Sequence, residues 1–386
     1  MRATRICIIG AGIGGLTAAL TLLRRGFNVS VYERAPTLGE VGAGILVTPN
    51  SMRALEALGL AYAVRESASA ERFSHYARYD TGEILVSTDT DAVVEKYGHR
   101  ILQVHRGDLH TLLKNAVQSI DPSAINVGHE LIDVTQEAQR VSAIFSNNTR
   151  ISCDTLIGAD GNASKVRSIV FGEGAPKFTG QVAIRAMIPK DRVPLSLQGR
   201  EKVMYFGPQR MVLHYPLRKG EMMNLVAIGK TASWEDEGWS TPATTEEFID
   251  AYSDFNEPVR ELIQSIPPNT ASKWGLRDRE PVAQWVIGRI ALLGDAAHPI
   301  LPFLGQGANI AMEDGFILGR AFDESESVEE ALVRYEAARK ERGTKVQLMT
   351  REQGVALQGT SAEGFNPGSP PVDRGIFEYD PVNVEI

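Results

Sequence analysis

Between Ile6 and Glu33 the chain sets a strand, a glycine-rich turn, a helix and a second strand in immediate succession, and few folds accommodate that order. Ile6-Cys7-Ile8-Ile9 is an apolar run suited to a strand buried on both faces. Gly10-Ala11-Gly12-Ile13-Gly14-Gly15 follows at once. Gly10 permits a tight turn, Gly12 lets backbone approach a ligand, and Gly15 lets the helix pack closely on the strand. The helix is expected from about Gly14 to Arg25, stopping near Gly26. Val29-Ser30-Val31-Tyr32 then leads to Glu33, about twenty residues after the glycines, where a carboxylate accepts hydrogen bonds from the hydroxyls of an adenosine ribose. These features predict a Rossmann-like unit that holds a dinucleotide at a helix N-terminus.

Residues 6–23 carry no charge and follow two arginines, so hydropathy alone would also fit a signal peptide or a membrane span. The glycines crowded at the centre and the lack of a small-residue cleavage pattern oppose both, and no stable membrane association is expected. A chain of 386 residues is too long for one ordinary core, and a net charge of −8 supplies no basic face for nucleic acid. Cys7 and Cys153 make neither a CxxC pair nor a disulfide framework, which predicts a reducing, cytoplasmic setting. Arg339-Lys340-Glu341-Arg342 reads as the solvated face of a helix.

A second constellation lies near the other end. The apolar run Ile290-Ala291-Leu292-Leu293 ends in Gly294-Asp295, then Ala296-Ala297-His298-Pro299 and Pro302-Phe303-Leu304-Gly305-Gln306 form a turn. A helix opens near Gly307 with Ala308 and Asn309, and later carries Glu313-Asp314. Such an arrangement joins a carboxylate to free backbone N–H groups and suits a polyol and an electron-rich ring. Between the two constellations the patterns predict a helix over residues 51–58 closed by Gly59, and a strand over 102–105 leading to a helix capped by Asp108. Paired strands are expected over 125–151, a buried strand over 152–158 ending in Ala159-Asp160-Gly161, and an antiparallel meander over 182–230. Helices are expected over 245–255, 257–266 and 328–357, and the Gly/Pro/Ser-rich tail from Gln358 is expected to be extended or poorly ordered. Gly42-Ala43-Gly44 lacks a third glycine and a partner acid, so only one dinucleotide is held by a dedicated fold, and any second one visits transiently.

Three ordered fingerprints carry a resemblance. Gly10-x-Gly12-x-x-Gly15, Gly158-Ala159-Asp160-Gly161-x-x-Ser164-x-x-Arg167, and Gly294-Asp295-Ala296-x-His298-Pro299 with Gly305-Gln306-Gly307-x-Asn309 resemble those of the single-component, class A flavoprotein aromatic hydroxylases. The resemblance covers residues 6–351 and is to the salicylate hydroxylase, 3-hydroxybenzoate 6-hydroxylase and 6-hydroxynicotinate 3-monooxygenase branch. It implies noncovalent FAD, NADH or NADPH as transient co-substrate, and O2, with oxygen passing from a flavin C4a-hydroperoxide to an electron-rich ring. The implied fold is α/β: a Rossmann-like FAD-binding domain similar to para-hydroxybenzoate hydroxylase, interleaved with an antiparallel-sheet substrate domain and a C-terminal helical region. The expected division is FAD-binding over 1–75, 101–178 and 276–325, substrate domain over 76–100 and 179–275, and C-terminal helix and tail over 326–386.

The family pattern places Gly10, Gly12, Gly14, Gly15, Glu33, Arg34, Arg106, Asp160, Asp295, Gly305, Gly307, Ala308 and Asn309 on the cofactor. Within that set Glu33 is expected on the ribose, Arg106 near the pyrophosphate and ribityl region, and Asp295 on a ribityl hydroxyl. Arg106 could instead form an ion pair with Asp108, and Asp160 could simply close the turn before the helix at Ser164. Arg167 is expected to anchor that helix and His298 to order the Pro299 turn. Ile300, Leu301, Phe303 and Leu304 would keep water from the flavin or pack as ordinary core. Tyr215 is the first candidate to activate a substrate phenol and His214 the alternative base; successive strand residues face opposite sides, so at most one points into the site. Arg185 or Arg210 is considered for a substrate carboxylate. Leu46 and Phe303 stand where some pyridine-hydroxylating relatives carry histidines, which favours a less polar benzenoid substrate. The resulting expectation is a monomer or homodimer that hydroxylates a small phenolic or hydroxylated aromatic acid, salicylate-like, with decarboxylative and simple ring hydroxylation equally open. A larger polycyclic or prenylated substrate, an oxygen-independent FAD oxidoreductase and a non-catalytic FAD-binding regulator are the alternatives.

Overall fold

The computed structural model describes residues 1–39, 43–172, 174–199, 201–231, 234, 241–357 and 374–386. Gly42 of the second glycine-rich loop and residues 358–373 of the tail lie outside the described residues. The chain opens with β1 (Arg5–Ile9), α1 (Ile13–Arg24) and β2 (Asn28–Tyr32), as expected from the local pattern. β3 (Gly44–Val47), α2 (Pro49–Ala57) and α3 (Ala61–Ser67) lead to the hairpin β4 (Phe73–Arg78) and β5 (Ile84–Asp89). Next come α4 (Asp91–Tyr97), β6 (Leu102–His105) and α5 (Arg106–Ile120). Short β7 (Ile125–Asn126) precedes β8 (Leu131–Gln136), β9 (Val141–Phe145), β10 (Arg150–Cys153), β11 (Thr155–Gly158) and α6 (Lys165–Phe171). The long strands β12 (Lys177–Pro189), β13 (Lys202–Gly207), β14 (Arg210–Leu217) and β15 (Met222–Lys230) follow, then β16 (Thr241–Pro242), α7 (Thr245–Ala251), α8 (Glu257–Gln264) and β17 (Ser272–Asp278). β18 (Val286–Ile287), β19 (Ile290–Leu292), α9 (Gly307–Asp323) and α10 (Val328–Leu357) complete the order.

At two of these elements the difference from the sequence reading has a specific side-chain cause. The helix expected to be capped by Asp108 begins at Arg106, so Asp108 lies in its first turn and binds Arg218 at 2.7 and 2.9 Å. The strand expected over 152–158 breaks at Asp154, whose carboxylate accepts the Arg5 N–H at 2.8 Å; β10 therefore joins one sheet and β11 another.

One sheet runs β18-β19-β11-β1-β2-β7, parallel except at the β18 edge, and helices cover it. Its central strands are apolar on both faces because both are buried, and Ile6, Ile8, Leu16 and Leu20 are shielded almost completely. Each such side chain contributes about 1.5–3 kcal/mol by leaving water. A second sheet runs β16-β17-β12-β15-β14-β13-β4-β5. β13, β14 and β15 are the expected meander, whereas β12 reaches past them to pair with β15, and β4 lies parallel to β13. One face of this sheet packs on α7 and α8 through Phe248, Phe255 and Leu262. The other meets Leu301 and Phe303, which belong to the turn before α9.

α9 packs against α1 at close range: a Cβ on Gly315 would sit 2.6 Å from the Ala18 nitrogen. That approach sets the N-terminus of α9 opposite the glycine loop that opens α1. The last residues also dock, contrary to the expected loose tail. Arg53 donates to the carbonyls of Phe377 and Tyr379 at 2.7 and 3.0 Å, and Arg320 donates to those of Pro381 and Val384.

Candidate active site

The site begins at the end of β1. Gly10 has φ +105°, and a Cβ there would lie 2.4 Å from the Ala159 oxygen, so only glycine can make this turn beside β11. Gly12 is the N-cap of α1, has no side-chain cap and faces open space, with no heavy atom within 4 Å of a Cβ placed on it. The first turn of α1 therefore presents bare N–H groups and no acidic side chain, which suits a pyrophosphate. Gly15 abuts the Gly10 oxygen, whereas Gly14 meets Leu293 and Ala311. Gly14 is thus glycine because α1 must approach α9, a packing reason in place of the expected cofactor contact.

Glu33 sits beside this loop, accepting the Ala11 N–H at 2.9 Å and the Ala35 N–H at 3.0 Å. His110, which sequence reasoning missed, reaches back from α5 and places Nε2 2.7 Å from the Ala11 carbonyl. Nothing in a lone histidine on an amphipathic helix announces such a contact. Arg34 is exposed just beyond Glu33.

The opposite wall is the turn after β19. Asp295 is raised above the usual carboxylate range by burial, against the pull of His298, Arg106 and the Ile300 N–H. Arg106, at the start of α5, is thus near enough for its charge to act on the Asp295 carboxylate. A Cβ on Gly307 would lie 4.0 Å from Asp295 Oδ1, so the carboxylate also faces the N-terminus of α9. That helix has 17 residues, no side-chain cap and no acid in its first turn, and its positive end favours negative charge in front of it. Gly305, at φ +63°, supports Leu46 from below, and Ala308 follows Gly307 in the same turn.

Two expected cofactor contacts have other uses. Asn309 is fully buried with its amide committed: Oδ1 accepts the Thr48 N–H at 3.0 Å, and Nδ2 donates to the Leu46 and Gly305 carbonyls at 2.9 and 2.8 Å. It clamps β3 to α9. Asp160 accepts the Ser164 hydroxyl and the Lys165 and Val166 N–H groups, at 2.5, 2.7 and 3.1 Å, so it caps α6 and closes a turn. Arg167 anchors that helix as expected, donating to the Ala296 and Ala297 carbonyls at 3.2 Å.

A buried charge cluster holds the turn and α9 in place. Arg339 Nη2 lies 2.6 Å from Glu313 and its Nε 2.8 Å from Asp314; Arg342 and Asn50 also reach Glu313, and His298 Nε2 lies 2.5 Å from Asp314. This corrects the solvated helix face expected at residues 339–342: Arg339 is 0 % exposed because α9 supplies its countercharges. His298 does order the Pro299 turn, stacked on Trp285 and tied to Asp314. Burial pushes the Asp314 carboxyl up, but His298 and Arg339 outweigh it and hold the group at about 2. With an unfolded value near 3.9, the depressed carboxylate contributes about 2–3 kcal/mol that is present above pH ~4 and lost as pH falls through ~2. Urea unfolding from pH 6 to pH 3 should therefore show a loss that Asp314→Asn lacks; equal slopes for both proteins would contradict the assignment.

Alternation along β14 decides between the two candidates for substrate activation. Met211 and Leu213 face Leu301 and Phe303, and Tyr215 shares their face. Its ring meets Gly44, where a Cβ would lie 2.5 Å from the hydroxyl oxygen. Burial raises the Tyr215 hydroxyl well above the ordinary tyrosine range. His214 points the other way, buried beside Tyr205 with ring centroids 5.8 Å apart, in the core under α7 and α8. The fold therefore removes the alternative base from this space. Arg210 turns away likewise, donating to Asp254 at 2.6 Å. Arg185 faces inward, with its guanidinium 4.8 Å above Trp274 and its Nε donating to Ser272. Phe303 packs between the sheet and Gly354 of α10, and Leu301 lies beside it; Ile300 and Leu304 pack with Tyr97 and Val346. These four residues are core packing, and that packing sets the sheet against the turn.

Known proteins resemble this chain in sequence and fold. The family model described as FAD binding domain matches residues 3–350. The chain is 36% identical over 351 residues to 3-hydroxybenzoate 6-hydroxylase 1 of Aquipseudomonas alcaligenes, covering 90% of this chain and 87% of that one. It is 35% identical over 353 residues to 6-hydroxynicotinate 3-monooxygenase of Pseudomonas fluorescens, covering 90% of each. Among solved structures, Klebsiella pneumoniae HpxO complexed with FAD and uric acid superposes with a TM-score of 0.83 at 26% identity, covering 94% of this chain and 90% of that one. A salicylate hydroxylase substrate complex gives 0.80 at 25% identity, covering 97% and 91%. No helix among the described residues is long and apolar enough to cross a membrane. By the extent of these matches, the chain belongs to the FAD-binding-domain family of flavoprotein monooxygenases.

Proposed function

We propose that the protein hydroxylates a small hydroxylated aromatic acid, with NADH or NADPH as reductant and O2 as oxygen source. The observation that carries this reading is one sheet face, bearing Tyr215 amid Met211, Leu213, Leu301 and Phe303, set against the turn that holds Asp295 and the N-terminus of α9. The relatives' names, which include 3-hydroxybenzoate, 6-hydroxynicotinate and salicylate hydroxylases, support the substrate class.

In this reading Glu33 accepts the ribose hydroxyls, the N–H groups at the start of α1 and the Arg106 guanidinium hold the pyrophosphate, and Asp295 accepts a ribityl hydroxyl. Bound FAD would supply the redox chemistry, taking a hydride from the nicotinamide and delivering one oxygen atom of O2 to the ring. The N-terminus of α9 stabilises negative charge that develops in front of it. Leu301 and Phe303, packed as core, hold the substrate-facing sheet against the turn that carries Asp295. Tyr215 stays protonated at neutral pH, so it orients and polarises the substrate phenol through a hydrogen bond and does not act as an ionised base. Residues 1–75, 101–178 and 276–325 then serve the cofactor, and residues 76–100 and 179–275 serve the substrate.

The test is oxidation of NADH and NADPH by the FAD-loaded protein across a panel of hydroxybenzoates, under 18O2. We expect at least one acid to accelerate oxidation and to leave as product carrying one labelled oxygen. Oxidation that no acid accelerates, or that yields hydrogen peroxide without labelled product throughout, would overturn the proposal.

A further inference from the structure

The row of side chains crossing the substrate-facing sheet at Tyr215 contains a cation that no sequence motif marks. Val203 pairs with His214 across β13 and β14, so Lys202 falls opposite Tyr215, and Asn224 pairs with Tyr215 from β15 on its other side. Parity agrees. Met204 and Phe206, two and four residues beyond Lys202, belong to the cluster built on Leu301 and Phe303, while Val203 and Tyr205 belong to the core under α7 and α8. Asn224, Tyr215 and Lys202 therefore stand side by side on the face turned toward the flavin end.

Asn224 and Lys202 have donor capacity to spare. Asn224 is 0 % exposed; its Oδ1 accepts the Gly44 N–H at 2.9 Å, but its buried Nδ2 has no partner among the described residues. Lys202 is half-buried, and no carboxylate or other hydrogen-bond partner meets its ammonium among the described residues. Burial without a countercharge pushes that ammonium down to about 8. Native folds rarely leave an amide N–H2 and an ammonium unsatisfied together, and the missing acceptor is negative.

We infer that Lys202, assisted by the Asn224 amide, is the anchor for the carboxylate of the aromatic substrate and seats its ring beside Tyr215. This rests on the proposed aromatic-acid reading and names the residue that recognises the acid, in place of Arg185, which is spent on Trp274 and Ser272 across the sheet. The ammonium binds as a point charge and Asn224 Nδ2 as a neutral donor, so a planar carboxylate can take one bond from each.

Binding tests this separately from turnover. The FAD-loaded enzyme is titrated with benzoate and with benzamide, following the flavin absorbance, for wild type, Lys202→Met, Lys202→Gln and Lys202→Arg. Wild type should prefer benzoate by about 10–100-fold, the size of a charge-assisted hydrogen bond. The two neutral variants should lose that preference through weaker benzoate binding, with benzamide affinity and FAD content unchanged, and Lys202→Arg should keep most of it. Equal weakening for both ligands, an unchanged benzoate affinity in the neutral variants, or a wild type indifferent to benzoate would each overturn the anchor. Failure of hydroxybenzoates to drive labelled product, with the benzoate preference intact, would instead count against the hydroxylase reading alone.

Discussion

Arg339→Met should cost the folded protein about 3–5 kcal/mol, because one guanidinium neutralises two buried carboxylates. Methionine fills similar volume, so the loss isolates charge. Glu313 would retain Arg342 and Asn50, and Asp314 would retain His298, yet both would lose the buried guanidinium that bridges them. The consequence extends to the site, since Asp314 also accepts the Gly294 N–H at 3.1 Å and so fixes the turn that carries Asp295. Urea unfolding with and without saturating FAD measures both effects: the midpoint should fall in each case, and FAD should stabilise the variant less than wild type. Lys cannot span both acids as the planar fork does, so Arg339→Lys should recover only part of the loss. A cost below about 1 kcal/mol for Arg339→Met would mean that the cluster is not what holds α9 to α10.

That cluster also marks what could not be read from the chain. On a helical wheel Arg339 and Arg342 look solvated, and only α9, arriving with Glu313 and Asp314, turns them into core. The unit from β1 to Glu33 was legible because all its determinants are local: strand, turn, helix and acid lie within one short segment. The hairpins β13-β14-β15 were legible for the same reason. By contrast, the pairing of β12 with β15 joins distant segments, and no periodicity encodes it. Parity established that His214 and Tyr215 face opposite ways, but which of them faces the flavin end depends on where Leu301 and Phe303 pack. Asn309 and Asp160 show the limit of motif reading: both occupy fingerprint positions, and both spend their side chains on backbone N–H or carbonyl groups of the protein. Lys202 went unnoticed because a single lysine at a strand end is ordinarily solvated; its significance comes from sharing a face with Met204 and Phe206.

Two glycines of the first turn should separate cofactor space from folding space. In Gly12→Ala the added methyl meets no protein atom within 4 Å, and φ is −72°, so an alanine fits the apo fold without strain. The space it enters is the one in front of the bare α1 N–H groups, where a pyrophosphate has to approach the backbone closely. We expect unchanged or slightly raised apo stability, and an FAD dissociation constant raised about 100-fold, equivalent to about 2.7 kcal/mol. In Gly15→Ala the same methyl would lie 2.1 Å from the Gly10 oxygen, a backbone atom that cannot swing aside. α1 must then lift from β1, at an overpacking cost of about 1–3 kcal/mol even without cofactor. FAD titration by fluorescence quenching, alongside urea unfolding of the apo proteins, distinguishes the two. If Gly12→Ala bound FAD as wild type does, the open space before α1 would not be where the diphosphate lies, and the assignment of the cradle would fall with it.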